Sequence, residues 1–314
     1  MTWQPSASIS CLKRRAELLK KARLFFYNRH YTEVETPCIS KHTVTDRYIE
    51  SIEVHYQGEP YYLQTSPEYF MKRLLAAGSG PIFQICKAFR HEEKGRFHNP
   101  EFTMLEWYHP GWSHLELMNE MSEFLTFCLN TAPADVISYE SLFQHYFNIN
   151  PHTTTIHELA ELTKEHINLN SNEHLDKDSF LQLLMSDCIE PHLGHNKPTI
   201  VYDYPASQAA LAKIKFNEHY SAAERFEVYL NGQELANGFH ELTDPKEQEN
   251  RFRQDQAHRK VDNKKSIDID HKLIACLEKL PSCAGVALGF DRLSMIEQKT
   301  KHIKENISFS WDHL

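Results

Sequence analysis

Glu227-Val-Tyr-Leu-Asn-Gly-Gln-Glu234 reads as two strands joined by a two-residue turn. Asn231-Gly232 between alternating side chains is the strongest short-range signal for a β-hairpin, because both turn residues must adopt positive φ. That turn pairs Tyr229 with Glu234. Glu227 lies two residues from Tyr229 and shares its face, so the two glutamates become diagonal neighbours about 7–8 Å apart. Carboxylates so placed repel unless a cation lies between them, and a hard divalent ion holding phosphate oxygens, magnesium for example, suits the geometry. Glu241 follows seven residues after Glu234, past Asn237-Gly238. A step of seven reverses the face of a regular strand, and a bulge at Gly238 would restore it. The three acids could then share one pocket. From spacing alone, a solvated strand face with unrelated acids explains them as well.

Other strand signals extend from this hairpin in both directions. Pro81–Glu92 and Glu101–Tyr108 read as two strands with a polar loop between them, Pro198–Tyr204 as another, and Gly285–Phe290 as a buried strand. Helical spacing of Leu12, Ala16, Leu19, Ala22 and Phe26 predicts an opening helix that ends before Glu35-Thr36-Pro37. Ser66 and Pro67 read as an N-cap and first helical residue, and Ser113 with Glu116 as a capping box for a helix through Leu129. Residues 131–197 read as helical, with a second capping box at Thr155 and Glu158, a polar break at 168–172 and no chemical motif. Asp244-Pro245 starts a highly charged helix. Strands spread along the whole chain, several in hairpin order, predict one α+β domain over 1–314 with an antiparallel sheet.

Two further segments carry chemistry. Arg90 ends one strand and Phe102 begins the next across a loop holding Lys94, Arg96 and His98. A guanidinium there could meet phosphate while the ring stacks on a base, although a charged hairpin tip is the plainer alternative. Gly285 and Gly289 weaken an apolar strand unless something approaches its backbone closely. Arg292 then opens a helix at its positive end, a natural phosphate site.

Composition narrows the classes. The 314 residues carry a net charge of −9, which argues against broad nucleic-acid binding. No apolar run approaches membrane-spanning length. Seven scattered cysteines and twenty histidines lack metal-site spacing, as expected of a reduced, cytoplasmic protein. Only ten glycines are present, so their gathering at the candidate site is informative.

Taken in order, these segments resemble the three motifs of the class II aminoacyl-tRNA synthetases. Glu35-Thr36-Pro37 is similar to the first, whose helix and strand form the dimer interface in that family. Arg90 to Phe102 resembles the second and Gly285–Arg292 the third. His98-Asn-Pro-Glu-Phe-Thr-Met-Leu-Glu-Trp-Tyr108 and Glu234-Leu-Ala-Asn-Gly-Phe-His-Glu241 resemble the lysine-specific branch. The likeness covers nearly the whole chain and implies that family's catalytic fold, a sheet flanked by helices, and a homodimer. The first-motif helix begins near Cys11, leaving no room ahead of it for an anticodon-binding barrel. Ser66 stands where the synthetases usually have alanine, and Ala287 where they usually have glycine. With Trp3-Gln-Pro-Ser-Ala-Ser-Ile9 and Pro205-Ala-Ser-Gln-Ala209, the pattern resembles the truncated paralogues that attach β-lysine to a lysine of elongation factor P.

The resemblance also implies roles. Arg90 and Arg292 would serve catalysis by binding the ATP phosphates, Phe102 would cover the adenine, and His91, Glu92, Asn99, Leu235 and Gly289 would complete the nucleotide site. Glu227 and Glu234 would hold magnesium. Glu106, Tyr108 and Glu241 would receive the distal ammonium of lysine or β-lysine, and Glu68 the other amino group. Ser66, Pro67, Asn237 and Ala287 would shape that pocket. The implied acceptor is elongation factor P, with tRNA charging or a non-catalytic regulator as alternatives.

Overall fold

A computed structural model describes residues 3–91, 94–168 and 175–314. Glu92 and most of the expected polar break at 168–172 lie outside the described residues. The chain opens with α1 (Ile9–Tyr27), whose cap Ser8 accepts a hydrogen bond from the Cys11 amide and whose buried stripe is Leu18, Ala22, Phe25 and Phe26. There follow β1 (Thr32–Glu33), β2 (Ile39–Ser40), β3 (Glu53–Tyr56), β4 (Glu59–Leu63), α2 (Glu68–Ala76), β5 (Ile82–Phe89) and β6 (Glu101–Pro110). Next are α3 (His114–Leu129), β7 (Asp135–Ser138), α4 (Tyr139–Phe147), α5 (Ile156–His166) and α6 (Lys177–Leu184). Strands β8 (Thr199–Pro205), β9 (Ile214–Phe216), β10 (Ser221–Leu230) and β11 (Gln233–His240) come together in sequence. The last elements are α7 (Pro245–Val261), α8 (His271–Leu277), β12 (Cys283–Gly289) and α9 (Phe290–Gln298). No helix among the described residues is long and apolar enough to cross a membrane.

The chain divides into two compact units, Met1–Trp112 with Leu242–Leu314, and Ser113–Glu241. In the first, β5, β6 and β12 form an antiparallel set with β1 parallel on the outer side of β5. Helix α1 packs on this sheet through Phe26, which stacks on Phe83 with ring centroids 4.7 Å apart and tilts against Trp107. A separate small sheet joins β2, β4 and β3.

In the second unit, β8 and β11 flank β10, β9 pairs with one end of β10, and β7 runs parallel to β8. Its core gathers Tyr139, Phe143, Leu159, Leu181, Leu184 and Ile189 against Val201, Tyr204 and Tyr229. The Asn231-Gly232 turn forms as expected, with φ of 54° and 69°. Gly194 lies beneath it: a Cβ there would meet the Tyr229 carbonyl oxygen at 2.5 Å, so only glycine fits.

Both expected capping boxes form. Three expectations are corrected. The sheet is not purely antiparallel, because β1 and β7 each pair in parallel at an edge. Residues 131–197 are not wholly helical, because β7 intervenes; four residues are too short to show a period. Helix α2 starts one residue later than expected, with Pro67 rather than Ser66 at its N-cap.

Candidate active site

Strand β6 places Glu106 between Gln84 of β5 and Ala287 of β12, and Tyr108 between Ile82 and Gly285. Directly opposed residues share a face, so the methyl group of Ala287 lies on one side of Glu106 and the Gln84 side chain on the other. Tyr108 donates its hydroxyl to Glu106 Oε1 at 2.6 Å, and both are buried. Burial, then the neighbouring Glu106, pushes the Cys86 thiol up to about 12, so Cys86 stays a thiol beside this stretch of sheet. Glu68 opens α2 and pairs with the buried Lys72 at 2.7 Å.

In the same unit, the Arg90 guanidinium lies over the Phe102 ring, 5.2 Å from its centroid. The backbone of Arg90 is tied to Pro100 and that of His91 to Glu50. Arg292, in the first turn of α9, donates to His98 Nε2 at 2.6 Å, bringing the second and third motif segments into contact. Gly289 is the N-cap of α9. Asp291 accepts from the Thr103 amide at 2.7 Å and pairs with Arg15 of α1 at 2.6 Å. Asn99 donates to the Glu101 carbonyl and accepts from the Trp311 amide, anchoring the C-terminal segment to the start of β6.

Sequence reasoning missed two groups here. Arg259 of the charged helix is buried and donates to the carbonyls of Asp46, Ile49 and Lys265 and to Glu50 Oε2. It thereby holds the segment that fixes His91. The Arg15–Asp291 pair was equally hidden, since nothing local links residues so far apart in sequence.

In the other unit, the hairpin pairs Tyr229 with Glu234, as its turn requires. The register then shifts: Val228 lies opposite Ala236, which leaves Leu235 as the extra residue of a bulge. The expected bulge at Gly238 is absent, since Gly238 pairs regularly with Phe226. The bulge at Leu235 has the same effect on the face. Glu234, Asn237 and Phe239 lie opposite Tyr229, Glu227 and Arg225, and Glu241 follows by alternation.

Glu227 already has partners on this face. Arg225 donates to its Oε1, and Tyr204 (2.8 Å) and Tyr229 donate to its Oε2. Burial, then the Glu227 charge, raises both tyrosines well above the usual range, so they remain protonated donors. Burial opposes the charge on Arg225, but Glu227 first, then Tyr204 and Glu234, outweigh it and raise its pKa. A carboxylate that balances a guanidinium and accepts two hydroxyls makes a poor ligand for an ion. Glu234, the other carboxylate of the hairpin, lies opposite Tyr229 on the same face. Arg225 could have been found in the sequence, because it precedes Glu227 by two and so shares its face.

On the opposite side of β10 and β11, His114, Glu224 and His240 bring ligand atoms within 4.8 Å of one another. Two observations count against a metal there. Glu224 and His240 are 2.6 Å apart, a hydrogen-bond distance that two ligands of one ion would not keep. Lys213 and Lys215 also reach His240 and Asp203, supplying positive charge to this cluster.

The family model for class II tRNA synthetases (D, K and N) matches residues 2–313. Among curated proteins, the one from Salmonella arizonae named elongation factor P--(R)-beta-lysine ligase is 47% identical over 99% of this chain and 98% of its own. The protein of that name from Salmonella gallinarum is 48% identical over the same shares. The chain belongs to the class II tRNA synthetase family of the D, K and N branch.

Proposed function

We propose that the chain activates β-lysine or lysine with ATP and transfers it to a lysine side chain of elongation factor P. The observation that carries this reading is the buried Glu106 carboxylate with its Tyr108 hydrogen bond and the small Ala287 beside it, a seat for an alkylammonium group. In the first half-reaction the amino-acid carboxylate attacks the α-phosphorus of ATP and pyrophosphate leaves. In the second, the acceptor amine attacks the activated carbonyl, an amide forms, AMP leaves and the amine loses a proton. Neither step needs an enzyme nucleophile; positioning and charge compensation by Arg90 and Arg292 carry them.

Phe102 is assigned to the adenine, and His91, Glu92, Asn99, Leu235 and Gly289 to the rest of the nucleotide. Glu106, Tyr108 and Glu241 are assigned to the distal ammonium and Glu68 to the other amino group. Ser66, Pro67, Asn237 and Ala287 are assigned to the same substrate. Magnesium, held by Glu234, would offset phosphate charge when bound. The half-exposed Leu24 and Tyr27 on α1 support a homodimer through that helix. The test is incubation with ATP, labelled lysine isomers and either elongation factor P or tRNA. Label on elongation factor P is expected; label on tRNA alone, or no pyrophosphate exchange, overturns the reading.

A further inference from the structure

Regular pairing between β10 and β11 ends at Arg225 and Phe239, one residue before the end of β11. Glu241, the acid assigned above to the substrate ammonium, comes just after, and its backbone meets Ala212 in an isolated bridge. A closed ring of hydrogen bonds takes over where the ladder stops. The Lys213 amide donates to the His240 carbonyl at 2.8 Å, and the Glu224 amide donates to the Lys213 carbonyl at 2.8 Å. The same three side chains close the ring, with His240 Nδ1 2.6 Å from Glu224 Oε2 and Lys213 Nζ 3.0 Å from His240 Nε2.

The chemistry fixes the tautomer. An ammonium only donates and a carboxylate only accepts, so His240 carries its proton on Nδ1 and offers the Nε2 lone pair to Lys213. Glu224 is held ionised by this hydrogen bond, against the effect of burial. A neutral imidazole supplies one donor and one acceptor on a rigid ring, which few side chains could do here. Leucine or phenylalanine would remove both the donor that meets Glu224 and the acceptor that meets Lys213. Being on the opposite face from Glu241, His240 acts on that acid through the backbone.

We infer that His240 is a positioning residue: with Lys213 and Glu224 it sets the backbone at the end of β11 and thereby aims the Glu241 carboxylate. The inference rests on the assignment of Glu241 to the amino acid, and one arm of its test does not. The first arm measures pyrophosphate exchange by the full chain with lysine and β-lysine. His240→Phe is expected to raise the amino-acid KM about tenfold while the ATP KM changes less than twofold. His240→Gln, which keeps one donor and one acceptor, should recover most of that loss. His114→Leu, in the same cluster but on α3, should leave the amino-acid KM as it was.

The second arm follows amide hydrogen exchange across residues 238–242 without substrate. His240→Phe should lose protection there while His240→Gln keeps it. Equal rises in both KM values, or unchanged protection in His240→Phe, would overturn the inference. Absence of exchange in the unaltered chain would count against the proposed function instead, and hydrogen exchange would still decide the positioning role.

Discussion

Tyr108 donates its hydroxyl to Glu106 Oε1 at 2.6 Å, and the two side chains are 2% and 1% exposed. A carboxylate so buried depends on each hydrogen bond it accepts, because water cannot replace one that is lost. Tyr108→Phe deletes that donor without changing the ring. The expected result is about a tenfold rise in amino-acid KM, equivalent to roughly 1.5 kcal/mol for a hydrogen bond to a charged group, with ATP binding little changed. Pyrophosphate exchange measured against each substrate separates the two. Equal loss of both would place Tyr108 in the scaffold.

Asp291 links three elements at once, through the Arg15 guanidinium on α1 and the Thr103 amide on β6. It is also the residue before Arg292, so its loss should reach the phosphate site. Breaking a buried pair by removing one partner costs about 3 kcal/mol or more. Asp291→Ala should therefore lower the urea midpoint strongly, and exchange activity should fall even where the protein remains folded. An unfolding free energy within about 0.5 kcal/mol of the unaltered chain would mean that Arg15 finds another partner.

The parts of the site legible in the sequence were those set by local rules. Asn231-Gly232 dictates a hairpin turn and so the pairing of Tyr229 with Glu234, and Ser113 with Glu116 dictates a helix start. The bulge that returns Glu241 to the face of Glu234 was foreseen in its effect but not its place. It falls at apolar Leu235, where no residue type marks it, rather than at Gly238. Partners brought from far along the chain were the least visible. Tyr204 reaches Glu227 from β8, and Arg259 reaches the 46–50 segment from α7; neither contact leaves a periodic trace.

Glu224 provides a pH signature. The His240 hydrogen bond, against the opposing effect of burial, holds its carboxyl below the usual range. A group depressed in the folded state binds fewer protons there than in the unfolded chain, so its stabilisation is present above the unfolded pKa of about 4.3 and fades as pH falls through the folded value. Glu224→Gln should therefore be less stable than the unaltered chain at pH 7, and the gap should narrow below about pH 4. Urea midpoints at several pH values test this; a gap of constant size would show that Glu224 acts through shape rather than charge.

The cysteines should separate by reactivity. Burial and the neighbouring Glu106 charge push Cys86 up to about 12, whereas Cys38 is exposed. The thiolate is the species that alkylates. Iodoacetamide at pH 8 should modify Cys38 first and leave Cys86 intact until the chain unfolds, as peptide mass spectrometry would record. Early loss of Cys86 would contradict the burial around Glu106.

Glu227 and Glu234, equivalent by spacing, should part company on substitution. Glu227 receives Arg225, Tyr204 and Tyr229, so Glu227→Gln disturbs a buried network that includes a core tyrosine pair. Its main effect should be a loss of stability of about 1–3 kcal/mol, with the magnesium requirement of exchange unchanged. Glu234 lies across from Tyr229 on the same face and is the carboxylate to which the cation is assigned. Glu234→Gln should raise the magnesium concentration for half-maximal exchange by about tenfold or more while the thermal midpoint stays near that of the unaltered chain. Should the two variants behave the other way round, the ion would belong to Glu227, and Arg225 would have to move aside when nucleotide binds.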